Sequence, residues 1–457
     1  VTADDTIAAI ATALGEAALS VIRISGPQAL SFADNCFAPA GKSAVRPSDA
    51  ATHTLHYGHI VHQGKVLDEV LLAVMRAPRT FTREDVVEIT CHGGPLPARS
   101  VLEAILAAGA RLATPGEFTR RAFINGRLDL AQAEAVMDLI HSQTQLAMTA
   151  ASEQLAGKLS LKIEAIRQDL MRTLAHVEAY IDFPEEDIAP ETNDALAASV
   201  RRCRESVRHM LSTADEGRVL RHGIRAAIVG RPNAGKSSLL NQLLGHERAI
   251  VSATPGTTRD TIEEIVNIHG IPVILVDTAG IRDCGDEIEQ EGMRRTRQSL
   301  ERAELVLHIL DASEPLSHAD ADFLIETAGK KRIIVRNKVD LPAAIHEFIV
   351  ANTPTVDVSC ATGQGIDRLR RVIRDLVWSG EIRADMLEVM INSRHADALG
   401  RAEGALVRAL TAIEAGQAPE LIAEDVRIAV NAVGEISGKT ATEDLLDVIF
   451  SQFCIGK

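Results

Sequence analysis

Residues 224–241 read IRAAIVGRPNAGKSSLLN. An apolar run, Ala226 to Val229, ends at Gly230. A glycine-bearing loop follows, and Ser237-Ser238 open the segment Ser-Leu-Leu-Asn-Gln-Leu-Leu, whose composition is that of a helix. Gly230, Gly235, Lys236 and Ser237 fit the phosphate-loop pattern G-x-x-x-x-G-K-[ST] without a mismatch. The order is chemical. Glycines let the backbone curl so that successive N–H groups converge on phosphate oxygens, and the helix behind adds the positive end of its dipole. Lys236 is placed to reach the β- and γ-phosphates, and the Ser237 hydroxyl to hold Mg²⁺.

Outward from this loop, residues 219–381 alternate strand and helix patterns, the texture of a doubly wound, Ras-like α/β domain. Ile271 to Val276 reads as a strand running into Asp277-Thr278-Ala279-Gly280, where an Asp can reach the Mg²⁺ hydration shell and a Gly admits the γ-phosphate. Leu305 to Leu310 is the next strand. Arg332 to Arg336 leads into Asn337-Lys338-Val339-Asp340. The carboxylate of that N-K-x-D tetrad can accept from both the ring N–H and the exocyclic amine of guanine, which adenine cannot match. Val356 to Ser359 leads into Ser359-Cys360-Ala361, the place of the last guanine loop. Four signals in this order predict GTP as the nucleotide. The expected contacts are Asn233, Ala234, Gly235, Lys236, Ser237 and Ser238, then the loop Ser252-Ala253-Thr254-Pro255-Gly256-Thr257-Thr258, and then the three motifs just named. Ile281 follows Gly280, where Ras-like enzymes carry a Gln that orients the attacking water. An Ile cannot do this, so another group must. Asn233 is a neutral oxygen donor beside the phosphates, of the sort that suits a monovalent cation.

The bulk composition narrows the remaining choices. A chain of 457 residues holds roughly two to four domains. Its net charge of −15 and 3% aromatic content disfavour a chain that grips nucleic acid unaided, because phosphate neutralisation needs a basic surface and base stacking needs aromatics. Arg120-Arg121 and Arg201-Arg202-Cys203-Arg204 are local basic runs, read as solvated helix faces. Six cysteines are scattered without a C-x-x-C pair, the usage of reduced thiols in a cytoplasmic protein rather than of a disulfide frame or a zinc site. No signal peptide and no membrane-spanning apolar run is evident.

Residues 1–118 mix short strand patterns (Ala18 to Ile24, Val66 to Met75, Val86 to Thr90) with a helical Pro95 to Ala108, an α+β domain. Residues 119–218 are helical. Leu155, Leu159, Ile163, Ile166, Leu170, Leu174, Val177 and Ile181 form one stripe at helical spacing, ended by Phe183-Pro184. Helical periodicity returns over 382–457, so the nucleotide domain reads as inserted between two halves of a helical domain. Gly434-Glu435-Ile436-Ser437-Gly438-Lys439-Thr440 imitates a second phosphate loop, but it is one residue short and follows a helix pattern, so it is read as a turn and helix start.

Taken together, these residues resemble the tRNA modification GTPase family MnmE (TrmE). The resemblance covers the whole chain. It rests on Arg23-Ile24-Ser25-Gly26, Phe81-Thr82, Glu84-Asp85-Val86, His92-Gly93-Gly94, Gly116-Glu117-Phe118 and Arg121-Ala122-Phe123. It continues through Leu128-Asp129-Leu130-Ala131-Gln132-Ala133-Glu134-Ala135, Asp182-Phe183-Pro184, the GTPase set and the terminal Phe453-Cys454-Ile455-Gly456-Lys457. It implies an N-terminal folate-binding and dimerisation domain, a helical domain and an inserted G domain. The activity implied is a potassium-stimulated GTPase that works as a homodimer with the FAD protein MnmG (GidA), in a heterotetramer that meets tRNA. That complex modifies the wobble uridine of certain tRNAs at carbon five, placing an aminomethyl or carboxymethylaminomethyl group. The one-carbon unit would come from a tetrahydrofolate, as the 5-formyl or 5,10-methylene derivative.

By the same resemblance Asn233, Ser252, Thr254 and Thr257 match potassium ligands, and Ser237 and Thr258 match Mg²⁺ ligands. Glu289 matches a catalytic Glu that orients water in place of the missing Gln, with Lys236 beside it in the catalytic set. Arg23, Glu88, Arg127 and Lys457 match folate contacts: a carboxylate suits the pterin amine, and cations suit the glutamate tail. The chain departs from the family at Ala11-Thr12-Ala13-Leu14-Gly15-Glu16-Ala17-Ala18, which lacks a Pro and two Gly of the usual A-T-P-x-G-x-G-G, and at Cys360, where Ala is usual. A regulatory or ribosome-assembly GTPase without covalent RNA chemistry is the alternative that the G domain alone would also fit.

Overall fold

The computed structural model describes residues 5–41, 44–182, 193–245, 264–276, 300–345, 350–378, 384–388 and 390–457. The chain divides into two compact units. One comprises 1–137, 163–167 and 430–457, and the other 138–162 and 168–429. Residues 119–137 and 430–457 thus group with the N-terminal α+β segment and not with the remaining helices.

The first unit is built on a seven-stranded sheet. Its strands are β1 (Ile7–Ile10), β2 (Leu19–Ser25), β3 (Phe37–Pro39), β4 (Thr54–His62), β5 (Lys65–Met75), β6 (Val86–His92) and β7 (Arg111–Leu112), in the order β3-β4-β5-β6-β2-β1-β7. All neighbours run antiparallel except β1 and β7. Alternate residues of the central strands, such as Ile22, Ile24, Leu72, Val74, Val87 and Ile89, point to one face. There they bury against helices Ala29–Cys36 and Pro95–Ala107. The register sets Arg23 of β2 directly opposite Glu88 of β6.

Helix Glu117–Ile124 closes this unit and corrects one expectation. Arg121 is not on a solvated face but only 3% exposed. It bonds the Asp5 carboxylate and reaches Glu84 at 3.1 Å. Arg111 bonds Glu117 at 2.6 Å and Asp5 at 2.8 Å. Burial raises the pKa of both Asp5 and Glu117, but the arginines outweigh it and hold both carboxyls below the usual range. A buried charge persists only when so compensated. Helix Glu443–Ser451, capped by the Thr442 hydroxyl, joins the same unit through Arg120–Asp447 at 2.7 Å and the ring pair Phe123–Phe450. The imitation phosphate loop lies partly inside helix Pro419–Ser437, which excludes it as a strand-loop-helix element.

The second unit holds a six-stranded sheet: β8 (Ile224–Val229), β9 (Glu264–Ile268), β10 (Ile271–Val276), β11 (Leu305–Asp311), β12 (Lys331–Asn337) and β13 (Thr355–Asp357). The order is β13-β12-β11-β8-β10-β9, parallel throughout except for β9. The central strands β8, β10 and β11 are buried along nearly their whole length, as strands covered on both faces require, while β12 keeps an apolar middle, Ile333 to Val335, between charged ends. In the helical part, the expected single stripe is divided. Leu155 ends helix Gln145–Leu155, the chain turns at Ala156-Gly157, and helix Lys158–Asp182 carries the rest. Periodicity alone is blind to this break, because Leu155 and Leu159 keep a spacing of four whether or not the backbone between them is helical. Helix Asn193–Leu211 lies along Ser393–Glu414, and Arg201–Glu414 at 2.7 Å and Arg208–Glu403 at 3.4 Å use up part of its basic run.

His308 interrupts the apolar run of β11. It is fully buried, its ring meets Phe323 edge-on, and neither ring nitrogen is bonded among the described residues. Burial pushes its pKa down to about 4, with Arg332 adding to the effect and Asp320 opposing it. The unfolded chain therefore takes the proton first as pH falls. Stability is full above about pH 6.5 and is lost between there and about pH 4, by roughly 3 kcal/mol. His308→Leu is expected to flatten this part of the pH dependence in urea unfolding followed through Trp378, the only tryptophan. An unchanged slope would refute the buried neutral imidazole.

Candidate functional site

The loops expected to bind nucleotide emerge at the carboxyl ends of parallel strands β8, β12 and β13, where open α/β sheets bind ligands. After β8 the chain adopts positive φ at Gly230, Asn233 (62°) and Gly235 (103°), and then helix Lys236–Leu244 begins. Gly235 is obligatory on two counts. Its φ lies in the left-handed region, and a Cβ there would stand 2.1 Å from Asn337 Nδ2. Lys236 Nζ donates to the carbonyls of Gly230 (2.9 Å) and Arg231 (2.8 Å), which folds the ammonium over the loop. Ser237 follows at the start of the helix, where backbone N–H groups favour anions. Arg231 is tied to Glu314 (3.1 Å) and to the buried Asp320 (3.0 Å). Asp320 also completes the capping box of helix His318–Glu326 with Ser317.

Asn337 joins three loops. Its Nδ2 donates to Ala234 O at 2.9 Å, and its Oδ1 accepts from Cys360 N at 3.0 Å. It is 2% exposed. Lys338 takes φ 64° and bonds Asp311 at 2.5 Å. Burial raises the Asp311 pKa, but Lys338 and Ser313 outweigh it and hold the carboxyl below the ordinary range. Asp340 stands exposed at the rim of the same turn. Ser359 is fully buried and its hydroxyl accepts from Thr362 N at 3.2 Å. Ala361 follows Cys360, whose thiol burial pushes up to about 11, so that it is a small apolar filler at neutral pH. The structure thus brings together Asn233, Ala234, Gly235, Lys236, Ser237 and Ser238 with Asn337, Lys338, Asp340, Ser359, Cys360 and Ala361. Ser252, Ala253, Thr254, Pro255, Gly256, Thr257 and Thr258, the segment Asp277-Thr278-Ala279-Gly280, and Glu289 lie outside the described residues.

A second cluster lies in the first unit. Arg23 donates to Glu88 through Nε at 2.7 Å, and its Nη1 donates to the carbonyl of Gly456 at 3.2 Å. Its guanidinium lies 5.8 Å from the ring centre of Phe81 and 5.7 Å from that of Phe118. Arg127 is 5.2 Å from the same Phe81 ring and donates to Thr80 O at 2.8 Å. The terminal segment is strapped down by Gly116 N to Cys454 O (3.4 Å) and Phe118 N to Lys457 O (3.2 Å). Burial first, and Arg23 second, hold the Lys457 ammonium below its usual pKa. Arg23, Glu88, Arg127 and Lys457, widely separated in sequence, are therefore gathered near one another, with Arg23 linked to Glu88, to Lys457 electrostatically and, like Arg127, to the Phe81 ring. Phe81 and Phe118 are visible in the sequence only as members of motif blocks, and nothing local marks them as the rings that meet these guanidiniums.

Comparison with known proteins places the chain in a family. The family described as "GTP-binding protein TrmE N-terminus" matches residues 6–127, and the "MnmE helical domain" matches 130–454. The tRNA modification GTPase MnmE of Geobacillus kaustophilus is 48% identical over 461 residues, covering 99% of each chain. The chain belongs to the MnmE family. Its likeness to MnmE of Geobacter sulfurreducens is 47% over 460 residues, covering 99% of each chain. MnmE of Chloroflexus aurantiacus is 48% identical over 459 residues, covering 99% of this chain and all of that one. Membership accounts for the joint presence of a G domain and an N-terminal α+β domain in one MnmE chain. Among the described residues, no helix is long and apolar enough to cross a membrane, and no group of three or more His, Cys, Asp or Glu is placed to hold a metal ion.

Proposed function

We propose that this chain is a GTP hydrolase that takes part in tRNA modification, acting with the FAD protein MnmG on the wobble uridine at carbon five. The GTPase half is carried by one observation: Asn337 ties the phosphate loop and the last guanine loop into a single cradle at the strand ends. The tRNA half rests on full-length likeness to MnmE relatives. In this reading Asp340 accepts from the guanine edge, and Lys236 exchanges two loop carbonyls for phosphate oxygens. Ser237, with Thr258, holds Mg²⁺, which neutralises charge on the phosphates when bound. The sequence departure at Ile281 is met by Glu289, which orients the attacking water.

Asn233 is exposed in the loop, its amide oxygen a neutral donor that fits a potassium ion shared with Ser252, Thr254 and Thr257. Arg23, Glu88, Arg127 and Lys457 fit a tetrahydrofolate derivative of the 5-formyl or 5,10-methylene type. Glu88 would accept from the pterin, the half-buried Phe81 would lie against its ring, and the cations would face the glutamate carboxylates. When bound, the folate supplies the one-carbon unit. The protein works as a homodimer in the cytoplasm and meets tRNA through the complex with MnmG.

Nucleoside analysis of tRNA from a deletion strain tests the whole reading. Loss of the carbon-five modification is expected. An unchanged wobble uridine would leave a regulatory or ribosome-assembly GTPase. Hydrolysis by the purified protein is expected to run several-fold faster in potassium than in sodium, and Asn233→Ala to abolish that difference. Equal rates in the two salts, or a potassium response intact in the variant, would defeat the potassium assignment. Glu289→Ala is expected to slow hydrolysis by roughly 100-fold or more, with GTP affinity unchanged, as for loss of a group that positions or activates a nucleophile. Weakened binding in that variant would show a structural role instead.

A further inference from the structure

We propose that Gln242 is a positioning residue that sets how tightly the guanine nucleotide is retained; this rests on reading the Ser359-Cys360-Ala361 loop as a guanine contact. Gln242 lies on helix Lys236–Leu244, whose first turn carries Lys236 and Ser237, and belongs to no nucleotide-binding motif. Its Nε2 donates to the carbonyl of Cys360 at 2.8 Å, across 118 residues of chain. The N–H of Cys360 donates to Asn337 Oδ1 at 3.0 Å. Both polar groups of this one residue are therefore anchored, the N–H by the N-K-x-D turn and the C=O by the phosphate-loop helix. A residue held at both ends cannot swing its flanking peptides, so the loop meets the base in one orientation without paying for its ordering on binding. Gln242 is half-buried, and it lines, with Ser238, Asn241, Gly245 and Cys360, an open cavity of about 430 Å³. Gln242 thus borders open space and is not a filler of the core beneath Leu239, Leu240 and Leu243.

The bond also couples the two halves of the nucleotide contact. Any movement of the phosphate-loop helix is transmitted to the base loop through Gln242. The expected signature is a change in nucleotide release and KM with the chemical step unaltered, because Gln242 acts on the base loop, through the Cys360 carbonyl.

The test uses the full chain, fluorescently labelled GDP and steady-state GTP hydrolysis. Gln242→Met keeps the length of the side chain and removes the donor. It is expected to speed GDP release about five- to tenfold and raise KM by a similar factor, the effect of one hydrogen bond, with kcat within about twofold. Gln242→Glu keeps the shape, but at neutral pH it turns an ionised oxygen toward the Cys360 carbonyl. Its release rate is expected to exceed that of Gln242→Met at neutral pH and to fall toward wild type as pH drops toward the carboxylic range of about 4–5, where a protonated acid donates again. Release unchanged in Gln242→Met, or a Gln242→Glu release rate that does not recover with falling pH, would overturn the inference. Failure of the wild-type protein to bind labelled GDP would overturn the guanine reading itself, and this proposal with it.

Discussion

Asn337→Ala is expected to weaken GTP and GDP binding by roughly 100-fold or more while leaving the chain folded. The amide of Asn337 satisfies the carbonyl of Ala234 at 2.9 Å and the N–H of Cys360 at 3.0 Å, both inside the domain. Removing it leaves two backbone groups without partners at a site that is 2% exposed. Each orphaned group costs about 1–3 kcal/mol, and neither loop has another nearby strand to pair with. The loops can recover hydration only by moving apart, which dismantles the cradle. The void also removes the packing partner of Gly235, whose backbone lies against the amide closely enough to exclude even a methyl group. The fold itself should survive, because β12 is held by Ile333, Ile334 and Val335, all fully buried. Calorimetric titration with GDP measures the effect. An affinity within threefold of wild type would show that the two loops are held by other means. Asn337→Asp is expected to fall between, since a carboxylate still accepts from Cys360 N but repels Ala234 O.

The second large effect is expected at the far end of the chain. If the first unit binds folate as proposed, Gly456→Val should weaken that binding roughly tenfold or more, the effect of losing one charge-assisted contact, and leave GTP affinity unchanged. Gly456 has φ 96°, and a Cβ there would lie 2.5 Å from the carbonyl of Ile10 and 2.9 Å from the Ala11 backbone. Both obstacles are backbone, so neither can swing aside. A β-branched residue in this conformation is strained before any clash is counted. The tail must lift, and with it go the bond from Arg23 to Gly456 O and the placement of Lys457. The nucleotide cradle lies in the other compact unit and shares none of these contacts. Isothermal titration with a tetrahydrofolate derivative, beside a GDP titration, separates the outcomes. Retained folate affinity would remove the tail from the site. Loss of GDP affinity as well would mean that the substitution unfolds the protein.

The G domain was legible because its signals are local. A phosphate loop is a strand, a turn and a helix within eighteen residues, and its chemistry is written in the order of Gly230, Gly235, Lys236 and Ser237. The strands expected at Ile271 to Val276 and at Leu305 to Leu310 follow from dominantly apolar runs, and the structure matches the first and extends the second only to Asp311. Local patterns failed where the answer lay on another segment. Arg121 reads as a surface charge on its own helix, yet Asp5, 116 residues earlier, and Glu84, 37 residues earlier, convert it into a buried ion pair. The broken stripe at Leu155 failed for a related reason: spacing records which residues share a face, not whether the backbone between them is continuous.

By itself, then, the sequence determined the nucleotide, the class of sheet that presents it, and through its terminal blocks the family. Those properties depend on residue type at short spacing, where covalent connection already sets the geometry. Only the tertiary structure decided which residues meet. Strand register sets Arg23 beside Glu88, the return of the C-terminal helix brings Gly456 to Arg23 across 433 residues, and the packing of β12 against the phosphate loop gives Asn337 its double tie. Such encounters depend on how whole faces of the sheet and helices bury one another, a cooperative property that no short window of sequence contains.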